Sequence, residues 1–132
     1  MELHIKIAGV LLVLLALSHT AFPKYFKWGK ELRALSMVNR QMIYVHTFFI
    51  GFVLLLMGLL CLSSSTELIE TDFGNKISIG LGVFWLARLL IQFFGFSSKL
   101  WKGKKFETRI HILFSVMWAY LTVVFFLSGA RL

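Results

Sequence analysis

Four runs of apolar residues, roughly 5–22, 42–62, 77–96 and 110–128, constrain this chain more than any other feature. Each is close to the ~20 residues a helix needs to cross a ~30 Å hydrocarbon core. All four fit within 132 residues, so the connections are short. The expected fold is therefore all-α: an integral membrane bundle of four up-and-down transmembrane helices forming a single membrane domain over 1–132. Composition agrees, since 58% of the residues are hydrophobic, against about 45–50% in a soluble domain.

The connections set the expected orientation. Segment 23–41 carries Lys24, Lys27, Lys30, Arg33 and Arg40 against Glu31 alone, and segment 97–109 carries Lys99, Lys102, Lys104, Lys105 and Arg109 against Glu107. The middle connection, 63–76, is acidic, with Glu67, Glu70 and Asp72 against Lys76. Basic loops stay in the cytoplasm, which places both termini outside and points to a multi-pass protein of a cell inner membrane. The formal net charge of +8 follows from that topology, and no nucleic-acid partner is expected. The segment LLVLLALSHT resembles a signal-peptide core ending at Ala16-Leu17-Ser18. Cleavage there would leave the basic segment 24–40 outside, so the first span is expected to be retained. Cys61 is the only cysteine, which excludes an internal disulfide.

Segment 23–41 is more than a tether. Phe22, Tyr25, Phe26 and Trp28 are residues of an aromatic belt, and Pro23 is expected to end the first span. Leu32, Leu35 and Val38 recur at near-helical spacing among charges, predicting a short helix on the inner leaflet that meets anionic membrane lipids.

The stretch FWLARLLIQFF, residues 84–94, places Arg88 within a span. An arginine near a span's centre costs about 2.5–3.5 kcal/mol on insertion, and it lies ~12 Å from the cytoplasmic end at 1.5 Å per residue. The guanidinium is thus expected to face the protein interior. Gln92 shares its face at i, i+4. His19 near the end of span one, His46 about one turn into span two and His111 at the start of span four fall at a similar level. His111, Ser115, Trp118 and Thr122 form one stripe on span four, and Glu107, one turn earlier, is placed to orient the His111 imidazole. Arg40, Tyr44, Thr47, Gly51 and Gly58 share a broadly common side of span two, and Gly9, Ala16 and Thr20 give span one a small-residue edge, both suited to close helix packing.

These residues predict a polar pocket near the cytoplasmic leaflet. It is formed by Arg88, Gln92, His19, His46 and His111, with Tyr44, Trp85, Ser115 and Trp118 as its wall. The leading expectation is a protein that binds an anionic or polar-headed hydrophobic ligand of lipid or quinone type, anchored on Arg88. A second reading is an electron-transfer subunit holding haem b between His46 and His111, or a metal ion on His46, His111 and His19. A third is a non-catalytic assembly partner of a larger membrane complex, or a homo-oligomer. A lipid-headgroup enzyme would need a metal or a carboxylate, and only Glu107 qualifies by position. No serine triad, phosphate-cradling glycine loop or intramembrane acid is present to suggest other chemistry.

Overall fold

The computed structural model describes residues 1–95 and 103–131, and among these it is helical, with no strand. The helices are α1 (Glu2–Ser18), α2 (Phe22–Tyr25), α3 (Trp28–Glu31), α4 (Met37–Ser63), α5 (Ser65–Glu70), α6 (Asp72–Phe94) and α7 (Lys105–Gly129). Among the described residues, four segments are long and apolar enough to cross a membrane: Glu2–Tyr25, Met37–Ser63, Asp72–Phe94 and Lys105–Gly129. Phe96, expected to end the third span, and Lys99 and Lys102 of the second basic connection lie outside the described residues.

Local chemistry explains where the helices start. Ser36 caps α4 by accepting the Asn39 N–H at 3.3 Å, and Thr71 caps α6 by accepting the Gly74 N–H at 2.9 Å. Both helices consequently begin ahead of their apolar runs. Pro23 does not end the first helical path. A 3-10 turn over His19–Ala21 intervenes, and Pro23 falls in the first turn of α2, where its missing N–H has no helical partner to lose. The basic segment folds into the short turns α2 and α3 and a 3-10 turn at Leu32–Ala34, with Lys27 in the left-handed region at φ 54° between α2 and α3. The acidic connection is also more ordered than an open loop, since α5 occupies Ser65–Glu70.

The chain forms two compact units, Lys6–Ser64 and Met1–Ile5 with Ser65–Leu132. Within the first, α1 and α4 pack antiparallel through small residues. A Cβ on Gly58 would stand 2.9 Å from the Gly9 carbonyl oxygen and 2.7 Å from Val13 Cγ2. At Gly9 a Cβ would lie 3.0 Å from Cys61 Cβ, and at Gly51 one would lie 3.2 Å from His19 Cβ. The two backbones are thus nearly in contact, the arrangement small residues allow between helices in lipid. Cys61 is fully buried there.

Within the second unit, α6 and α7 form an antiparallel hairpin. Its register is fixed by Gly82 against Phe126, by Gly129 against Ile79 and Asn75, and by Gln92 against His111 at the other end. Asn75 Nδ2 donates to the carbonyls of Leu68, Ile69 and Ser128, tying α5, α6 and α7 together. Ser78 Oγ donates to the Leu68 carbonyl at 3.2 Å. Arg131, at φ 59°, closes this end by donating to Asn75 Oδ1, the Glu70 carbonyl and Asp72 Oδ1. The first turn of α1 joins the same unit: Ser65 and Thr66 hydroxyls donate to Glu2 Oε1, and His4 Nδ1 lies 2.9 Å from the Tyr120 hydroxyl.

Candidate functional site

Gln92 is the centre of a polar network at the α6–α7 interface. Its side chain is buried, and its Oε1 accepts from Arg88 Nη1 at 3.3 Å and from Trp118 Nε1 at 3.2 Å. Two donors converging on one atom fix which end of the amide is oxygen. The amide nitrogen then faces His111 Nδ1 at 2.8 Å. Because that nitrogen only donates, Nδ1 accepts, and the neutral ring carries its proton on Nε2.

Aromatic rings enclose the network. The Arg88 guanidinium carbon lies 5.0 Å from the Trp118 ring centroid, a cation–π distance. Trp118 stacks with Trp85 (5.1 Å, 13°) and with Phe114 (5.5 Å, 16°), and Phe93 meets His111 edge-on at 5.8 Å. Trp85 is 2% exposed, and its Nε1 has no hydrogen-bond partner among the described residues. Gln92 spends both its oxygen and its nitrogen inside this arrangement. The network is thus built as a clasp between two helices, because each hydrogen bond replaces one that water cannot make at a buried site.

The sequence-named residues divide between the units. Arg88, Gln92, His111, Trp85 and Trp118 come together as described. Ser115 lies on the same stripe, but its hydroxyl donates to the His111 carbonyl of its own helix at 2.7 Å. Glu107 is exposed and makes no hydrogen bond to His111; Gln92 holds the ring instead. Across the α6–α7 interface an amide reaches Nδ1 directly, whereas Glu107 stands one turn out on an exposed surface.

His19, His46 and Tyr44 belong to the Lys6–Ser64 unit. His19 Nδ1 donates to the Leu15 carbonyl at 2.8 Å, leaving Nε2 of the neutral ring as an acceptor, and the ring packs on Phe22 at 4.5 Å. His46 is exposed and has no hydrogen-bond partner among the described residues. No group of three His, Cys, Asp or Glu side chains able to hold a metal ion occurs among the described residues.

Tyr44 and His19 instead line a cleft of about 290 Å³ between α1 and α4. Its end nearest α2 is polar, with His19, Thr20, Tyr44 and Thr47, and it becomes apolar past Phe48 towards Leu55. The Trp28 ring of α3 meets Tyr44 edge-on at 5.5 Å and holds the phenol in place. Sequence reasoning named two of these polar side chains but not the cleft. The Arg40, Tyr44, Thr47, Gly51 face of α4, spaced i, i+4, i+7, i+11, is visible in the sequence but reads there as a packing side. No family model, curated protein or solved structure matches the sequence, so the function is read from this chain's own residues.

Proposed function

We propose that this chain is a multi-pass inner-membrane protein, one membrane domain with both termini outside, that binds a hydrophobic ligand with a polar head in the α1–α4 cleft. The ligand class is a lipid or a quinone. The carrying observation is the graded lining of the cleft, polar at His19, Thr20, Tyr44 and Thr47 and apolar beyond. Such a gradient matches an amphiphile lying along a membrane helix, with its head at the interface and its tail in the core. Arg88 serves the α6–α7 clasp in this reading, because its Gln92 contact and its place over Trp118 join it to that interface.

Two measurements test the proposal. A C-terminal alkaline phosphatase fusion should be active and a C-terminal green fluorescent protein fusion dark, as the charge bias of the connections requires. The reverse pattern overturns the orientation. For the ligand, the full chain in detergent should bind phospholipid or decylubiquinone saturably by native mass spectrometry. Thr47→Trp, which fills the cleft, should weaken that binding at least tenfold while circular dichroism retains the helix content. Unchanged binding by a folded Thr47→Trp protein rules the cleft out.

A further inference from the structure

Arg40 separates itself from the other cations of the basic segment. Lys24, Lys27, Lys30 and Arg33 are exposed, whereas Arg40 is half-buried. Its side chain has no hydrogen-bond or ion-pair partner among the described residues. It lies on α4 one turn before Tyr44, on the face that continues through Thr47 and Gly51 to Leu55, and those four residues line the cleft. The Tyr44 hydroxyl is likewise without a hydrogen bond among the described residues. Lys24 directly follows Pro23, which lines the same end of the cleft. Along one helix face the order is therefore a guanidinium, a phenol, a hydroxyl, a glycine and then aliphatic surface.

We infer that the ligand of this cleft is an anionic glycerophospholipid, its phosphate at Arg40 and one acyl chain running past Gly51 towards Leu55. The inference rests on the cleft being a ligand site, as proposed above, and goes further by selecting the head group. A phosphodiester that no ammonium of its own head group neutralises leaves its charge to a guanidinium, which donates two N–H bonds to its oxygens, whereas the choline of phosphatidylcholine already neutralises the same group. The glycerol ester carbonyls are acceptors, and Tyr44 offers an O–H donor one turn deeper. The chain beyond them needs apolar walls, supplied by Phe48, Phe52 and Leu55. A quinone shares the demand for a donor and an apolar slot but carries no charge, so it leaves Arg40 without a role. The surrounding Lys24, Lys27, Lys30 and Arg33, opposed only by Glu31, raise the local concentration of anionic lipid at the mouth.

The test is native mass spectrometry and titration of the full chain in neutral detergent with four probes: phosphatidylglycerol, phosphatidylcholine, decylubiquinone and inorganic phosphate. Phosphatidylglycerol should bind about 25-fold more tightly than phosphatidylcholine, because a Lys or Arg near the lipid surface is worth roughly a fivefold preference, and Arg40 on the cleft face and Lys24 next to Pro23 each contribute one such factor. Arg40→Gln should lose about fivefold for phosphatidylglycerol and less than twofold for phosphatidylcholine, and Arg40→Lys should recover part of the loss. The preference should also shrink as salt rises. Equal affinity for the two phospholipids, or a preference that Arg40→Gln leaves intact, overturns the head-group assignment but leaves the cleft reading standing. Tighter binding of decylubiquinone has the same consequence. Inorganic phosphate competing as well as the lipid would show an anion site that does not read the acyl chain, and would overturn the lipid. If Thr47→Trp weakens none of the four, the cleft reading itself has failed.

Discussion

Gln92→Leu is expected to destabilise the protein by about 2–4 kcal/mol, although leucine is the more apolar residue and inserts into a membrane more readily. Insertion scales alone favour the change, because leucine lowers the cost of placing the helix in hydrocarbon. The network argues the opposite sign. Leucine removes the acceptor shared by Arg88 Nη1 and Trp118 Nε1 and the donor that faces His111 Nδ1. Each buried group left unsatisfied costs about 1–3 kcal/mol, while single hydrogen bonds between membrane helices average nearer 0.6 kcal/mol and reach about 1.7. Removing all three hydrogen bonds at once falls between these limits. Gln92→Glu keeps the acceptor for Arg88 and Trp118, and is expected to lose less than half as much. Equilibrium unfolding in mixed micelles, followed by the fluorescence of the stacked Trp85–Trp118 pair, reads both variants. A Gln92→Leu protein as stable as the parent would mean that the clasp contributes nothing.

Gly74→Ala should cost about 3 kcal/mol or more, again against the intrinsic preference of the residue. Alanine is the better helix former by about 1 kcal/mol. At Gly74, however, an added Cβ would meet the Glu67 carbonyl oxygen of α5 and stand 2.7 Å from Leu68 Cα. Backbone cannot turn aside as a side chain can, so α5 must lift from α6. Overpacking of this kind costs about 1–3 kcal/mol, and here it also strains the bonds from Asn75 and Ser78 to the Leu68 carbonyl. Gly80 provides the control on the same helix, since nothing lies within 4 Å of a Cβ built there. Gly80→Ala should be neutral or stabilising by up to about 1 kcal/mol. Equal melting midpoints for the two alanine variants would contradict the packing of α5 on α6.

The helical content of this chain is legible in its sequence because each apolar run is long and continuous. Where the helices begin is less so. Ser36 and Thr71 cap α4 and α6 ahead of the runs, and first turns of mixed polarity break up the hydropathy signal there. Pro23 misleads for a related reason, since a 3-10 turn moves it into the one place where a helix tolerates it. Arg88 with Gln92, and His111 with Trp118, are visible as faces of single helices, because spacing along a helix is local information.

That Gln92 and not Arg88 sits at the centre is set by the register of α6 on α7. So are the stacking of Trp85 on Trp118 and the displacement of Glu107 by an amide. That register depends on Gly82, Gly129 and their partners far along the chain. Arg40 shows the same limit. Its spacing from Tyr44 and Thr47 is legible in sequence, but its partial burial, which sets it apart from the exposed Lys24 and Arg33, is not.

The close approach of Gly9 to Gly58 has a practical consequence through its neighbour. Cys61, the chain's one thiol, is sealed where those backbones meet. Alkylating reagents can reach it only when the two helices of that seam part. Its labelling rate is thus a built-in clock for breathing between α1 and α4, read without adding a reporter to the chain.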